Sequence, residues 1–453
     1  MLDHLEESFK KQFKDKSFRE LATGSATSFI MRMIGLVVNY LFTFMISRLY
    51  GASILGALTI SQTVLSMFTI FSRLGMDTSV VKLFSANVAL NKWSNVLNIY
   101  KKIIGISLPI GIVTTLILFF GADLIADKLF HKPHLAYEFR LISFAIIPMS
   151  IRFINSDSYR GLKELRLYNY SRNVSYYLYS CVILGVLTLF LGNGIPESYA
   201  KYLPNFSFTL SLAILAVSST FLIFKYIKAR TQTETNEYSK RDILKTSIPM
   251  MLSSSLILIS GWVNTLFLAK YSSEGDVGIY RVIVQVTTVC GFILLSVNSV
   301  AAPKFAELYA VGDLKGLGKA ARQTSKINFL ASIPIFFGII IFREFIMGIF
   351  GEQFEIGADI LLLNMIGQFF NIFSGSVGSF LNMTGHHRAF QNILLIATLL
   401  NVVSCYLFIP LYGITGAAIS SMIFMSSWNI ISLVYIEIKF KIKTYYWPFS
   451  KTK

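Results

Sequence analysis

Charged residues are scarce in this 453-residue chain, where Asp, Glu, Lys and Arg make up 14% and hydrophobic residues 54%. The mean hydropathy of +0.60 excludes an ordinary water-soluble domain, because such domains are about a quarter charged. Acids are rarest, 24 against 41 Lys and Arg. The resulting net charge of +17 does not indicate nucleic-acid binding, since the basic residues are spread over many segments and form no single stripe.

Cysteine is also rare, and enzyme signatures are missing. Cys181, Cys290 and Cys405 all lie in apolar stretches without CxxC spacing, which argues against disulfide or metal roles. The chain has no Walker A loop, no HExxH and no Asp-x-Asp pair. Residues 1–20 lack the apolar core of a signal peptide. We therefore predict a protein without metal or cofactor that is not an enzyme.

Twelve apolar stretches of helix-spanning length run through the chain. A helix needs about 20 apolar residues to cross the hydrocarbon core of a membrane. The sequence therefore predicts an all-α polytopic membrane protein in contact with membrane lipids. The predicted helices cover residues 24–47, 54–72, 103–121, 135–156, 174–192, 205–224, 247–269, 278–300, 327–346, 358–381, 390–410 and 413–436.

Lysine and arginine fall almost wholly in alternate gaps between these helices. The N-terminal tail, the gaps after even-numbered helices and the C-terminal tail hold 31 of the 41, whereas the gaps after odd-numbered helices hold five. Basic residues close to helix ends mark the cytoplasmic side of a membrane protein. Both termini are therefore predicted to be cytoplasmic.

The two halves of the chain resemble each other at an offset of about 222 residues. Arg48 aligns with Lys270 and Gly56 with Gly278. Each half has an even number of helices, so both begin in the cytoplasm and the repeats are parallel, an arrangement typical of transporters. The predicted domains are an amphipathic cytoplasmic tail (1–23), an N-lobe with helices 1–6 (24–224), a cytoplasmic linker (225–246), a C-lobe with helices 7–12 (247–436) and a basic cytoplasmic tail (437–453).

Arginines inside the predicted helices need a physical reason, since each costs about 2.5–3.5 kcal/mol at the bilayer centre. They either snorkel or pair with neighbours, or they line a polar cavity. Those inside helices are Arg32, Arg140, Arg152, Arg281 and Arg343. A cavity lined by several of them would suit the oxygens of a diphosphate. The predicted diphosphate-binding residues are Arg32, Arg48, Arg140 and Arg281.

Amide side chains recur at helical spacing in two predicted helices. Arg281, Gln285 and Thr288 share one face of helix 8, and a second stripe follows helix 10. Such groups bind sugar hydroxyls, but amides between helices also stabilise packing, and both interpretations are open. The predicted sugar-binding or polar cavity residues are Asn39, Trp262, Asn264, Gln285, Asn364 and Gln368.

Acids that could carry a coupling proton are few in the predicted helices. Asp77 and Asp157 lie near inner helix ends, and Glu138 lies near an outer one. The sequence therefore leaves open which ion, if any, is coupled to transport.

Three stretches resemble the polysaccharide transporter family, which includes the O-antigen and lipid-linked oligosaccharide flippases of the multidrug/oligosaccharidyl-lipid/polysaccharide exporter superfamily. They are SRLYGASILGALTISQTVLSMFTIFSRLGMDTSVVKLFS (47–85), GDVGIYRVIVQ with SVNSVAAPKFAELYAVGDLKGLGKAAR (275–285 and 296–322), and FLNMTGHHR with NVVSCYLFIPLYGITGAAISSMIF (380–388 and 401–424).

The resemblance implies a V-shaped bundle of two six-helix lobes in a bacterial inner membrane. Such a protein moves a polyprenyl-diphosphate-linked oligosaccharide, a precursor of O-antigen, capsule or exopolysaccharide, from the inner to the outer leaflet by alternating access. Carried over to matching positions, diphosphate binding falls to Arg32, Arg48 and Arg281. A monomer that works beside a polysaccharide polymerase and a chain-length regulator is also implied.

Two alternatives belong to the same superfamily. A multidrug/cation antiporter is disfavoured because arginines outnumber acids inside the helices, so a cationic drug would be repelled. Peptidoglycan-precursor flippases resemble this chain but usually carry two further helices.

The topology is testable with a reporter that is active only outside the cytoplasm. Fused after Arg230, in the predicted cytoplasmic linker, the reporter should be silent, whereas a fusion in the gap after helix 5 should be active. Activity at Arg230 would overturn the predicted orientation.

Overall fold

The computed structural model describes residues 16–191, 196–231 and 238–446. That part of the chain contains helices and turns but no strand, which confirms the predicted all-α class. The predicted amphipathic tail of residues 1–23 lies mostly outside it. The helices are α1 (Lys16–Arg73), α2 (Met76–Ala89), α3 (Trp93–Leu124), α4 (Ala136–Ser143), α5 (Ile146–Gly161), α6 (Leu165–Asn169), α7 (Ser175–Leu191), α8 (Glu197–Ala200), α9 (Leu203–Lys228), α10 (Lys240–Tyr271), α11 (Glu274–Ala310), α12 (Leu314–Ile341), α13 (Arg343–Ile349), α14 (Gly357–Ser374), α15 (Val377–Met383) and α16 (His387–Phe440).

Seven helices among the described residues are long and apolar enough to cross a membrane, and two bent pairs raise the number to nine. The bent pairs are α4 with α5, at 46°, and α14 with α15, at 45°. Large apolar side chains such as Leu189 and Phe190 are more than 80% exposed, as expected where lipid replaces water as the solvent. The chain is a multi-pass membrane protein.

The two longest helices are each too long for a single span. α1 has 58 residues and α16 has 54, and at 1.5 Å per residue they would reach roughly 80–90 Å. Each is broken by a glycine with a positive φ, Gly51 at 82° and Gly413 at 53°, a conformation that glycine adopts without steric cost. Each therefore holds two consecutive spans, which is consistent with the predicted total of twelve.

The helices extend beyond the predicted spans. The predicted gap at 73–102 contains α2 and the start of α3, and most of the gap at 301–326 is helical in α11 and α12. These helical segments lie outside the predicted spans because hydropathy reports depth in the membrane, whereas an amphipathic helix continues into water.

The chain divides into two compact units whose borders cut through long helices. Unit 1 holds residues up to Phe42, Val64–Asp127 and Lys132–Ser255, and unit 2 holds Thr43–Thr63, Lys128–His131 and Leu256–Lys453. The middle of α1 thus belongs to unit 2, and the start of α10 belongs to unit 1. The lobes predicted from the duplication, 24–224 and 247–436, stay a prediction about repeat boundaries.

Each unit has a hydrophobic core built from corresponding elements. In unit 1, Phe84 of α2, Tyr100 of α3 and Tyr159 of α5 are buried together. In unit 2, Phe305 of α11 and Phe380 of α15 pack in the same way, with their rings 5.6 Å apart. Both cores lie on the side that the basic residues predict to be cytoplasmic.

A close helix contact in unit 2 joins the second half of α1 to the start of α11. A Cβ added at Gly56 would overlap the carbonyl oxygen of Glu274, and one added at Gly278 would overlap that of Ala52. Gly56 and Gly278 are 222 residues apart, and so are Ala52 and Glu274. The contact is therefore reciprocal, as a local two-fold axis requires. This glycine crossing joins positions that the sequence duplication makes equivalent.

Substitution of Gly56 by Ala should destabilise the protein, because the new methyl group meets backbone atoms that cannot rotate away. We expect a loss of about 1–3 kcal/mol, typical of overpacking, seen as a lower thermal midpoint in detergent. Gly291→Ala, on the same helix α11 but with no atom within 4 Å of the added Cβ, is the matched control and should not lower it. Equal midpoints for the two variants would contradict the crossing.

Candidate functional site

Arg281 lies one turn beyond the glycine crossing and reaches across it. Its Nη1 donates to Gln62 Oε1 at 2.7 Å and to Thr59 Oγ1 at 3.2 Å. The Thr59 hydroxyl donates its own proton to the carbonyl of Leu55 at 2.7 Å, so its lone pairs are available to Arg281. Thr59 is also the repeat counterpart of Arg281, 222 residues earlier. The Arg281 guanidinium therefore lies at the local two-fold axis. The equivalent position on the other side of the axis holds Thr59 and not a second arginine.

Arg281 makes no ion pair with a carboxylate in the described part of the chain; both its acceptors are neutral oxygens. Arg343 shows the alternative, because it contacts Glu344 at 3.2 Å and Asp359 at 3.3 Å. Neutral acceptors satisfy hydrogen bonds but leave the net charge in place. Arg281 is half-buried, and it keeps a positive charge available to an anion.

Gln285 and Thr288 continue the face of Arg281, because α11 is unbroken through these positions. Gln285 is buried. The Thr288 hydroxyl donates to the carbonyls of Val284 and Gln285, at 2.9 and 2.6 Å, so its own helix satisfies it. The polar face predicted from spacing is present, and its role toward sugars stays a prediction.

Asn264 is engaged in packing within unit 2. Its Nδ2 donates to the Tyr280 hydroxyl at 2.8 Å, and its Oδ1 accepts from Cys405 Sγ at 2.9 Å. All three residues are buried. Trp262, two residues earlier, is half-buried. These contacts favour the packing interpretation for Asn264.

The amide stripe of α14 faces another helix. Asn364 and Gln368 are each 5% exposed, and Asn371 Nδ2 donates to Gln368 Oε1 at 3.2 Å. Between them, a Cβ on Gly367 would come within 3.1 Å of the backbone of Met422 in α16. The stripe thus lies at a close helix contact, which again favours packing over sugar binding.

Arg48 closes the end of the short helix α13. Its Nε donates to the carbonyl of Ile349 at 2.7 Å and its Nη2 to that of Gly348 at 3.0 Å. It lines a cavity of about 670 Å³ together with Glu344, Glu355 and Asp359. Positive charge near unpaired helix carbonyls is a stabilising arrangement. This acidic setting is unlike an anion site, and diphosphate binding by Arg48 stays a prediction.

The remaining predicted residues lie in unit 1. Arg140 forms an exposed ion pair with Asp123, so its charge is compensated. Arg32 is exposed on α1 and has no carboxylate partner among the described residues. Asn39 lies two turns further along α1, and its buried Oδ1 has no hydrogen-bond partner in the same part of the chain. Arg32, unlike Arg140, therefore has a charge that no carboxylate among the described residues compensates.

The structure also brings together a charge cluster in unit 1 that the sequence analysis did not assemble. Three guanidinium groups surround the ring of Phe153, at 4.3 Å for Arg73, 4.6 Å for Arg152 and 4.4 Å for Arg172. Arg73 pairs with Asp77 at 2.8 Å, and Arg172 pairs with Asp157 at 3.1 Å. We call these five charged side chains and Phe153 the arginine cluster. The arginine cluster therefore contains three positive and two negative charges.

Arg152 ties the cluster to an irregular turn. Residues Tyr170–Val174 form a π turn between α6 and α7, and Arg152 Nη1 donates to the carbonyls of Ser171 and Arg172 at 3.1 and 3.3 Å. π turns often occur at functional positions. Arg152 is 2% exposed, and its Nε has no hydrogen-bond partner among the described residues. One donor of a buried cation is thus left over.

Two signals in the sequence point to this cluster. Arg73 and Asp77 carry opposite charges only four residues apart, on either side of the turn between α1 and α2. Asp157 lies near a predicted inner helix end, and Arg152 lies five residues earlier. What spacing cannot supply is the π turn, which places Arg172 beside both.

The comparisons with known proteins agree with the fold. A family model described as "Polysaccharide biosynthesis protein" matches residues 55–309, and one described as "MatE" matches residues 249–407. A relative from Haloferax volcanii, named "Probable low-salt glycan biosynthesis flippase Agl15", is 22% identical over 94% of this chain and 86% of its own length.

Two solved structures share the architecture. An inward-facing multidrug resistance MATE family transporter of the MOP superfamily gives a TM-score of 0.73 at 14% identity, covering 92% of this chain and 98% of that one. The lipid II flippase MurJ, in an inward closed conformation, gives 0.69 at 16% identity, covering 92% and 87%. At such identities the likeness shows the fold, and the resemblance stated from the sequence is confirmed.

Proposed function

Because this chain belongs to the polysaccharide biosynthesis protein family, we propose that it is a flippase for a polyprenyl-diphosphate-linked oligosaccharide. It carries the oligosaccharide from the inner to the outer leaflet by alternating access. The termini are cytoplasmic, the membrane is the bacterial plasma membrane, and the released glycan passes to a polysaccharide polymerase. The protein performs no covalent chemistry.

The uncompensated charge of Arg281 is the observation that carries this proposal. A diphosphate bears its negative charge on oxygens that match the planar fork of a guanidinium. Its prenyl chain can stay in lipid, but its charged head group must cross about 30 Å of hydrocarbon. A half-buried cation that, among the described residues, is bonded only to Gln62 and Thr59 lowers the cost of that crossing. Arg32 is a predicted second contributor, from its exposure and the family resemblance.

A multidrug/cation antiporter is the second candidate, supported by the match of the MatE family model to residues 249–407. The charge of Arg281 opposes it, because a cationic drug near an uncompensated guanidinium is repelled. The two candidates predict opposite effects of removing that charge. Loss of Arg281 weakens transport of an anion and favours transport of a cation.

Arg281→Ala should reduce glycan export in cells that depend on this protein, while the amount of folded protein in the membrane stays unchanged. Loss of a charge-assisted hydrogen bond of about 1.5–3 kcal/mol corresponds to roughly 10- to 100-fold weaker binding. Arg281→Lys should rescue only partly, because lysine keeps the charge but lacks the fork.

Arg343→Ala is the matched control, since that arginine is neutralised by Glu344 and Asp359 and should export at the normal rate. Normal glycan export by Arg281→Ala would contradict the proposal. Faster efflux of ethidium by the same variant would favour the cation antiporter.

A further inference from the structure

The arginine cluster of unit 1 is arranged as an anion site. The three guanidinium groups converge on one ring, although only two carboxylates accompany them. Like charges held this close repel strongly where water is scarce. Negative charge stabilises such a cluster, and the two aspartates leave one of its three positive charges without a carboxylate partner.

The cluster is open to a ligand on the side of Arg172. The Arg172 side chain is 31% exposed, whereas those of Arg73, Asp77 and Asp157 are 9–11% exposed. Arg172 contacts Asp157 through Nη1 alone, and a guanidinium has five N–H donors. A ligand approaching here meets unused donors of Arg172 first and the surplus charge behind them.

The buried Arg152 supplies the second independent sign of a ligand. Its Nη1 is bound to the π turn, yet its Nε is buried without a partner among the described residues. An unsatisfied donor on a buried cation costs more than a neutral one, so its retention calls for a function. Aromatic contacts with Phe153 and Tyr176, at 4.6 and 4.3 Å, fix its guanidinium in place.

We propose that the arginine cluster binds the diphosphate group of the substrate at the inner end of unit 1, and that Asp157 competes with this ligand for Arg172. The proposal rests on the flippase function and adds a site separate from Arg281. A diphosphate carries at least two negative charges, so it compensates both the surplus guanidinium and the shared one. While no substrate is bound, Asp77 and Asp157 partly compensate the charge of Arg73 and Arg172.

Because Asp157 competes with the ligand, its removal should raise the affinity for pyrophosphate. Asp157→Asn removes the charge 3.1 Å from Arg172 while keeping the size of the side chain. Inorganic pyrophosphate should then bind at least about threefold more tightly to the full-length protein in phosphatidylcholine nanodiscs, measured by calorimetry, because one competing charge is gone. Arg172→Gln should weaken binding about tenfold, the loss of one charge-assisted pair.

The charge-balanced double variant separates binding from folding. If the Arg172–Asp157 pair is only structural, Arg172→Gln/Asp157→Asn should restore normal pyrophosphate binding along with stability. The proposal requires the double variant to stay weak. Glu307→Gln, which breaks the exposed Lys304–Glu307 pair, controls for a general gain of positive charge and should leave the affinity unchanged.

The outcomes distinguish this site from the proposed function. Unchanged affinity in Asp157→Asn and Arg172→Gln, beside a loss in Arg281→Ala, overturns the arginine cluster as a site and leaves the flippase intact. Failure of the normal protein to bind pyrophosphate at all, beside normal glycan export, overturns the arginine cluster as a diphosphate site and leaves the flippase intact. If adding phosphatidylglycerol to the nanodiscs abolishes pyrophosphate binding, the cluster belongs to phospholipid head groups and the proposal is wrong.

Discussion

The glycine crossing of α1 and α11 is the contact on which the site in unit 2 depends. Gly56 and Gly278 let two backbones touch without side chains between them. Only at that separation can the Arg281 side chain reach both Gln62 and Thr59. A wider crossing would leave the guanidinium to find partners in lipid, at a cost of several kcal/mol. Backbone packing therefore decides where the charge is held.

Arginines in this protein are accommodated in three ways, which differ in how far carboxylates compensate the positive charge. Arg140 and Arg343 are paired with carboxylates at the ends of helices, so they contribute little net field. Arg281 is bonded to neutral oxygens and keeps its charge. The arginine cluster lies between these cases, with three cations and two anions. The first arrangement compensates the charge of the arginine, whereas the second and third leave positive charge available to an anion.

Hydropathy and charge asymmetry predicted the helical class and the spans because both reflect transfer between lipid and water. The 222-residue offset even aligned Gly56 with Gly278, although spacing could not show that the two touch. Sequence patterns failed where tertiary contacts decide. The helix α2 lies in a gap between predicted spans, the hydrogen bonds from Arg48 to the carbonyls of α13 join distant parts of the chain, and the π turn at Arg172 has no counterpart in spacing.

If the protein works by alternating access between the predicted lobes 24–224 and 247–436, the outer ends of their first helices, next to the glycine crossing, should separate and approach during transport. Tyr50 and Ser272 are repeat counterparts, each two residues before a crossing contact. A cysteine at each position, in a chain lacking Cys181, Cys290 and Cys405, allows these ends to be locked together by a crosslink. Glycan export should stop when the pair is crosslinked and return on reduction. Unimpeded export by the fully crosslinked protein would show that these ends do not separate, and the account would be wrong.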